Sequence, residues 1–280
     1  MLELYLLEQL DAFHRCGTLS AAAEELHLSQ PSLSRSMQKL EDTLGVPLFD
    51  RQKNRLVLNS TGIMAAEDAG RILASVAAME ERIRLHDKSL HTLTVGSCAP
   101  GPLMRLLPLV TGAFSGLSVS AGQDTAEHLL QALRDGACQL AVLPRPVEEE
   151  GLVCRPYLTE HLYMSITPFH PAAPYKTISF AQADGQNFIM YAKVGIWEDI
   201  VREKMPHAHF LKQEDQAAVE QLGQQSDLPL FSTNITVETI PARRKNRINI
   251  PFSDPEARIT FHLVYRKADE KRFRRFLSLL

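Results

Sequence analysis

The sequence predicts a two-part α+β chain: a small helical N-terminal unit closed by a β-hairpin, one long helix, and a larger C-terminal part of α/β type. Three observations lead there. Apolar residues recur at helical spacing from Leu6 to Leu44. A narrow seam of Ala65, Ala69, Ile72, Val76, Met79, Ile83 and His86 repeats in steps of four and three. From Leu93 onward, short apolar strands alternate with helices. The 280 residues leave room for two or three cores.

Residues 2 to 14 read as the first helix, with Leu6, Leu10 and Phe13 as its buried stripe. Gly17 ends it, and Thr18 is a good N-cap for the second helix. Ala21, Ala22 and Ala23 keep that helix slim enough for another to cross closely, and Leu26 and Leu28 are placed to plug the corner. Ser29 caps a third helix, whose first turn Pro31 suits. Leu33, Met37, Leu40 and Leu44 make its apolar face, while Pro31, Ser34, Arg35 and Gln38 fall opposite. The outer face offers a cation, an amide and hydroxyls near its N-terminal end, and its acids, Glu41 and Asp42, come near the other. A helix presented N-terminus first in this way is what the major groove of DNA accepts. The plain alternative is a helical hairpin with a solvated polar face.

Gly45 stops the third helix. Leu48 to Arg51 and Arg55 to Leu58 alternate as short strands around Gln52-Lys53-Asn54, where Asn tolerates a left-handed turn. Three cations on or near this tip can rest on phosphates and set the register without reading bases. The net charge of −3 argues against non-specific coating of nucleic acid. Between Ser29 and Asn59, however, the cations Arg35, Lys39, Arg51, Lys53 and Arg55 face only Glu41, Asp42 and Asp50.

Asn59, Ser60 and Thr61 offer caps for the long helix, expected to run to about Leu85, roughly 40 Å at 1.5 Å per residue. Its heptad seam suits pairing with a second copy; packing on its own unit is the alternative. Asp87 to Thr92 reads as a polar hinge. Strands are expected at Leu93–Gly96, Leu117–Ala121, Gln139–Leu143, His161–Thr167, Phe188–Tyr191, Leu228–Phe231 and Arg258–Arg266. Helices are expected from Leu103, from the capping box at Asp124–Glu127 to Asp135, and over Gly195–Met205, Glu214–Gln224 and Asp269–Leu280.

Composition narrows the function. Cys16, Cys98, Cys138 and Cys154 form no CxxC and read as reduced, mostly buried thiols. His207 and His209 have no third ligand nearby and read as an exposed pair, so no metal or cofactor is expected. Glu3 and Glu8 interrupt the first leucines, which is not a signal-peptide pattern, and no apolar run approaches a membrane span. No nucleophile elbow, P-loop, HExxH or dinucleotide fingerprint occurs, so an enzyme is not expected.

The run AAAEELHLSQPSLSRSMQKLEDTLGVPLFDR resembles the N-terminal winged helix-turn-helix of LysR-type transcriptional regulators. The alanine pair, Ser-Gln-Pro, Leu-Ser-Arg, Leu-Glu, Leu-Gly and Leu-Phe-Asp-Arg all sit in register. The resemblance extends more weakly over the whole chain, through LRDGACQLAVL and LTEHLYMSITPFHPAA. It implies a DNA-binding domain at 1–58, a linker and dimerisation helix at 59–88, and an effector-binding domain at 91–280 with the two-lobed fold of type 2 periplasmic binding proteins. The first lobe would take about 91–160 and 256–280, the second about 161–255. The expected function is a bacterial, cytoplasmic regulator that binds double-stranded operator DNA and senses a small molecule. It would be a homodimer through the linker helix, or a homotetramer through further contacts of effector domains, with RNA polymerase as another candidate partner. The alternative is an architectural DNA-binding protein whose C-terminal part serves only assembly.

The expected DNA-binding set is Thr18, Gln30, Pro31, Ser32, Ser34, Arg35 and Gln38 on the helices, with Arg51, Lys53 and Arg55 on the wing. In open α/β sheets a ligand sits beyond the carboxyl ends of strands. The expected effector contacts are therefore Ser97, Cys98, Ala99 and Pro100; Asp124 and Thr125; Tyr191, Lys193 and Trp197; and Phe231, Ser232 and Thr233. Asp124 and Thr125 also suit plain capping, and Trp197 also suits a core. Lys193 is the charge that would recommend an anionic effector. Where many family members carry Gly-x-Gly-Ile-x-x-Leu-Pro, this chain departs, with Asp227 in place of a glycine and Ser232 in place of the proline.

Overall fold

Two units partition the chain, Met1–Arg84 and Leu85–Leu280. A computed structural model describes residues 1–52, 55–239 and 246–280, and the side chains of all of these but Arg51, Gln52 and Arg55. The first unit is a winged helix-turn-helix: α1 (Leu4–Cys16), α2 (Leu19–Glu25), α3 (Gln30–Leu44), then the antiparallel hairpin of β1 (Phe49–Gln52) and β2 (Arg55–Leu58). Gly17 and Gly45 close α1 and α3 at φ 71° and 74°, a conformation that costs glycine little. The Thr18 hydroxyl accepts from Ala21 N at 3.2 Å and that of Ser29 from Ser32 N at 3.3 Å, so both expected caps form. Leu6, Leu10 and Phe13 of α1 meet Leu33, Met37 and Leu40 of α3 in one core, closed by an edge-to-face contact of Phe13 with Phe49 at 5.2 Å.

Two expectations for this core need correction. Leu44, the last residue of α3, is 41% exposed and does not join the buried face of Leu33, Met37 and Leu40. Of the corner leucines only Leu26 packs on the core; Leu28 is exposed beyond the left-handed His27.

The next helix, α4 (Ser60–His91), spans about 48 Å over its 32 residues. Asn59 caps it, accepting from Gly62 N at 2.8 Å and donating to Pro47 O at 3.0 Å. A Cβ at Gly62 would lie 2.1 Å from Leu48 O, so glycine permits this close entry. The polar stretch read as a hinge is helical to His91 and leads directly into a strand, since nothing in Asp87–His91 breaks a helix. The expected seam divides along its length. Ala69 is buried in the unit's own core and Ala65 packs against it, whereas Ile72, Met79 and Ile83 are exposed.

The second unit alternates as predicted: β3 (Thr92–Ser97), α5 (Pro100–Ala113), β4 (Ser118–Gln123), α6 (Ala126–Asp135), β5 (Leu140–Leu143) and the long β6 (Leu152–Ile166). There follow α7 (Phe180–Ala183), β7 (Asn187–Tyr191), α8 (Ile196–Lys204), β8 (His209–Gln213), α9 (Gln216–Gln225), β9 (Leu230–Thr233) and α10 (Asn234–Thr239). Last come β10 (Ile248–Pro251), β11 (Arg258–Arg266) and α11 (Glu270–Leu277). The sheet order is β4-β3-β5-β11-β6-β9-β7-β8, with β10 also on β6. Each half is a set of parallel strands, and β6 and β11 join them as the crossing strands of a two-lobed periplasmic-binding-protein-like fold. β6 pairs with β11 from Leu152 to His161, then with β9 and β10 from Leu162 to Ile166.

The sequence reading placed only the last part of β6. Its first ten residues contain Pro156, which argues against a strand. The register shifts between Phe261 and His262, opposite Leu158 and Pro156, so the proline sits beside a β-bulge at Tyr157. α5 begins at Pro100 rather than Leu103, because Pro100 and Pro102 occupy a first turn whose N–H groups have no intrahelical partner.

Candidate functional site

The outward face of α3 is built by the core beneath it. With Leu33, Met37 and Leu40 turned fully inward, Gln30, Pro31, Ser32, Ser34, Arg35 and Gln38 are all exposed. Arg35 takes part in no ion pair among the described residues. Gln30 accepts from the Ser20 hydroxyl at 3.3 Å, and Gln38 donates to Asp42 at 3.2 Å, both within exposed surface. Thr18 is exposed at the N-terminus of α2, where its hydroxyl serves as the cap.

Two residues counted in the charge of this surface have other work. Lys39 donates to Glu3 at 2.8 Å and to the Tyr5 hydroxyl at 2.9 Å, which raises its pKa and ties α3 to the start of α1. Glu41 is half-buried and accepts from Leu48 N at 2.7 Å and Phe49 N at 3.2 Å, fastening the hairpin to α3. Lys53, and the side chains of Arg51 and Arg55, lie outside the described residues.

The second unit holds a partly open cavity of about 50 Å³ between its two halves, lined by Pro100, Glu160, Leu162, Met190, Val194, Trp197, Val201, Phe231, Ser232, Thr233 and Thr236. Glu160, 1% exposed, sits where β6 changes partners. Asn234 fixes the strand on either side of it, accepting from His161 N at 2.8 Å and donating to Thr159 O at 3.2 Å. The indole N–H of Trp197 donates to Glu160 Oε2 at 2.9 Å. Burial pushes the Glu160 carboxyl above the ordinary range, against the opposing pull of hydrogen bonds from Thr233 and Trp197. The carboxyl lies so close to α5 that a Cβ at Gly101 would stand 2.0 Å from Oε1.

Of the expected effector residues, Pro100, Trp197, Phe231, Ser232 and Thr233 line this cavity. Ser97, Cys98 and Ala99 form the turn behind it: the Ser97 hydroxyl donates to Ala99 O at 2.7 Å, and Cys98 O accepts from Ile196 N at 3.0 Å, joining the two halves. Burial raises the Cys98 thiol to about 12 and that of Cys138 to about 11, so both are inert at neutral pH. Asp124 and Thr125 cap α6 and bind His128, while Tyr191 packs against a small core of Ile189, Val219 and Leu230. Lys193 is exposed and does not line the cavity.

Residues 4–63 match the family described as bacterial regulatory helix-turn-helix protein, lysR family, and residues 87–280 match the LysR substrate binding domain. The chain belongs to the LysR family of transcriptional regulators. CfxR of Cupriavidus necator is 30% identical over 190 residues, 66% of this chain and 60% of that protein. OxyR of Escherichia coli is 23% identical over 290 residues, 96% of this chain and 90% of that one. The match thus spans about 60% of the length of CfxR. Among solved structures, Vibrio fischeri DarR in complex with DNA covers both chains fully at 17% identity and a TM-score of 0.58. A full-length OxyR variant from Pseudomonas aeruginosa covers 99% of each chain at 20% identity and a TM-score of 0.54. These likenesses extend the LysR fold to the whole chain.

In this LysR-type chain the departure at Ser226–Ser232 has a structural answer. Among the described residues only His27 and Asn246 are non-glycines at positive φ, so Asp227 stands in ordinary backbone. Arg247 donates to Gly223 O at 2.6 Å and to Ser165 O and Leu228 O at 2.7 Å, holding the segment that the glycines would otherwise shape. Glu160 lies just before the strand expected at His161–Thr167, and nothing local in Leu158-Thr159-Glu160-His161 marks this acid as pointing inward.

Proposed function

We propose that this regulator binds operator DNA as a homodimer through α3 and the wing, and is switched by a small molecule held in the cavity between the halves of its C-terminal unit. The observation that carries the DNA half is the exposed polar face of α3 above its fully buried leucines and methionine. Gln30, Pro31, Ser34 and Arg35 reach base edges, with Thr18, Ser32 and Gln38 beside them; Arg51, Lys53 and Arg55 hold phosphates. Bidentate pairing of Arg with guanine or Gln with adenine is worth about 1–3 kcal/mol of discrimination. The exposed Ile72, Met79 and Ile83 of α4 supply the dimer seam. Working divisions are 1–58 for DNA binding, 59–88 for dimerisation and 91–280 for the effector, with lobes of 91–160 plus 256–280 and 161–255. The change of partners along β6 after His161 supports that last boundary.

The protein works in the cytoplasm, with the DNA; no described helix is long and apolar enough to cross a membrane. A cavity holding a buried, hydrogen-bonded carboxyl favours ligand sensing over a purely architectural role. Selection of sites from random duplex DNA tests the reading of α3. Arg35→Ala relaxes base choice at one position per half-site by about 1–3 kcal/mol. Lys53→Ala weakens all sequences alike and lowers the salt slope by about one. Uniform weakening by both substitutions would remove α3 from base readout.

A further inference from the structure

We propose that the cavity takes a small primary amine with an apolar body and rejects carboxylates, and that Glu160 is the residue that sets this choice. The inference rests on the reading of this cavity as the effector site. Its first support is the charge on the walls. Glu160 is the one acidic side chain lining the cavity, and no Lys, Arg or His lines it among the described residues. Lys193, the cation that an anionic effector would call for, is exposed and away from the lining.

The second support is the partnering of the carboxyl. A buried carboxylate is ordinarily met by a cation or by enough donors to satisfy its lone pairs. Glu160 is 1% exposed, and the donors that reach it, the Trp197 indole N–H and the Thr233 hydroxyl, are neutral. A carboxylate offers about four acceptor positions, so two donors leave part of its capacity for a ligand. An ammonium group brings three N–H donors and the missing positive charge. A ligand carboxylate would bring its own negative charge to the same desolvated site, with no cation there to balance it.

The third support is size and shape. Leu162, Met190, Val201 and Phe231 make the rest of the wall apolar. The volume of about 50 Å³ holds roughly three to five water-sized groups, enough for a short branched alkyl body and its amine. Asn234, which grips β6 on both sides of Glu160, acts as a positioning residue for the carboxyl.

Trp197 is the chain's single tryptophan and touches both Glu160 and the cavity, so its fluorescence reports on this site alone. The test uses the full-length protein at about neutral pH and fixed ionic strength, titrated with isobutylamine and with isobutyrate, which share a carbon skeleton. The expected result is a saturable change in Trp197 emission with the amine and a response at least about tenfold weaker with the carboxylate. Glu160→Gln, which keeps the side-chain shape and an acceptor for Trp197, weakens the amine at least about tenfold, with its fold checked by its own melting curve. If that variant does not fold, the amine-to-carboxylate ratio of the unaltered protein decides alone. Equal or tighter binding of isobutyrate, or silence from both compounds at millimolar concentration, overturns the amine assignment. A metabolite that raises the melting temperature without changing Trp197 emission overturns the cavity as the effector site, which is a separate failure.

Discussion

The two units place their chemistry on opposite sides of their cores. In Met1–Arg84 the core is complete in itself, and the functional candidates are what is left outside: Gln30, Ser34 and Arg35 stand exposed above Leu33, Met37 and Leu40. In Leu85–Leu280 the candidate chemistry is inside, where Glu160 is buried among Trp197, Thr233 and Gly101. An exposed polar side chain needs no partner, so a DNA-reading face is specified by the spacing of one helix. A buried carboxyl needs donors and room, and here three separate elements supply them, α8, β9 and α5. The first kind of site is set by the spacing of one helix; the second is assembled from elements far apart in the chain.

The largest test of this contrast concerns the outward side. Ile72→Glu together with Ile83→Glu places charge on the exposed apolar part of α4. Loss of two interface anchors is expected to weaken self-association by about a hundredfold, read by sedimentation, with little change in the melting temperature. An unchanged oligomeric state would show that this seam is not an interface.

The next test attacks the inward side. Gly195 has φ +63°, and a Cβ there would lie 2.1 Å from Cys98 O, next to the bond from Ile196 N that joins the halves. Gly195→Ala is expected to cost about 2 kcal/mol or more in urea unfolding and to speed exchange of the Ile196 amide. Unaltered exchange at Ile196 would mean that the two halves are held together elsewhere.

The smallest effect sharpens the contrast through pH. Burial raises the folded-state pKa of Glu160 above its ordinary value of 4.5. Between those values the native state keeps a proton that the unfolded chain releases, so stability is fullest below the ordinary carboxyl range and declines as pH rises through this window. Cys98, its titratable neighbour, is raised to about 12 and stays protonated throughout. Glu160→Gln is expected to flatten this decline and to be at least as stable as the unaltered protein near neutrality, as read by melting temperature across the acid to neutral range. A parallel pH profile would show that Glu160 carries no proton linked to folding.

Legibility followed the same division. The helix-turn-helix was readable because its caps, its apolar face and its polar face all lie within one stretch, from Thr18 to Gly45, and Thr18 and Ser29 do cap as their types suggest. The α/β alternation was readable for the same local reason. What stayed hidden depends on distant partners. The first ten residues of β6 looked unlike a strand until pairing with β11 absorbed Pro156 next to a bulge at Tyr157. Lys39 and Glu41 looked like surface charges until Glu3, Tyr5 and the Leu48 and Phe49 amides came to meet them. Glu160 is the extreme case, because burial decides its meaning and burial is contributed by residues 37 positions or more away, such as Trp197.

The grip of Asn234 on β6 separates two kinds of heritable change. Its amide holds main-chain atoms of Thr159 and His161 and leaves the intervening side chain untouched. The position at 160 can therefore exchange its chemical group while the strand that both halves share keeps its path. Under the proposed role of Glu160, a lineage carrying this arrangement has a single codon at which to try a new signal molecule, with the apparatus that joins the halves passed on intact.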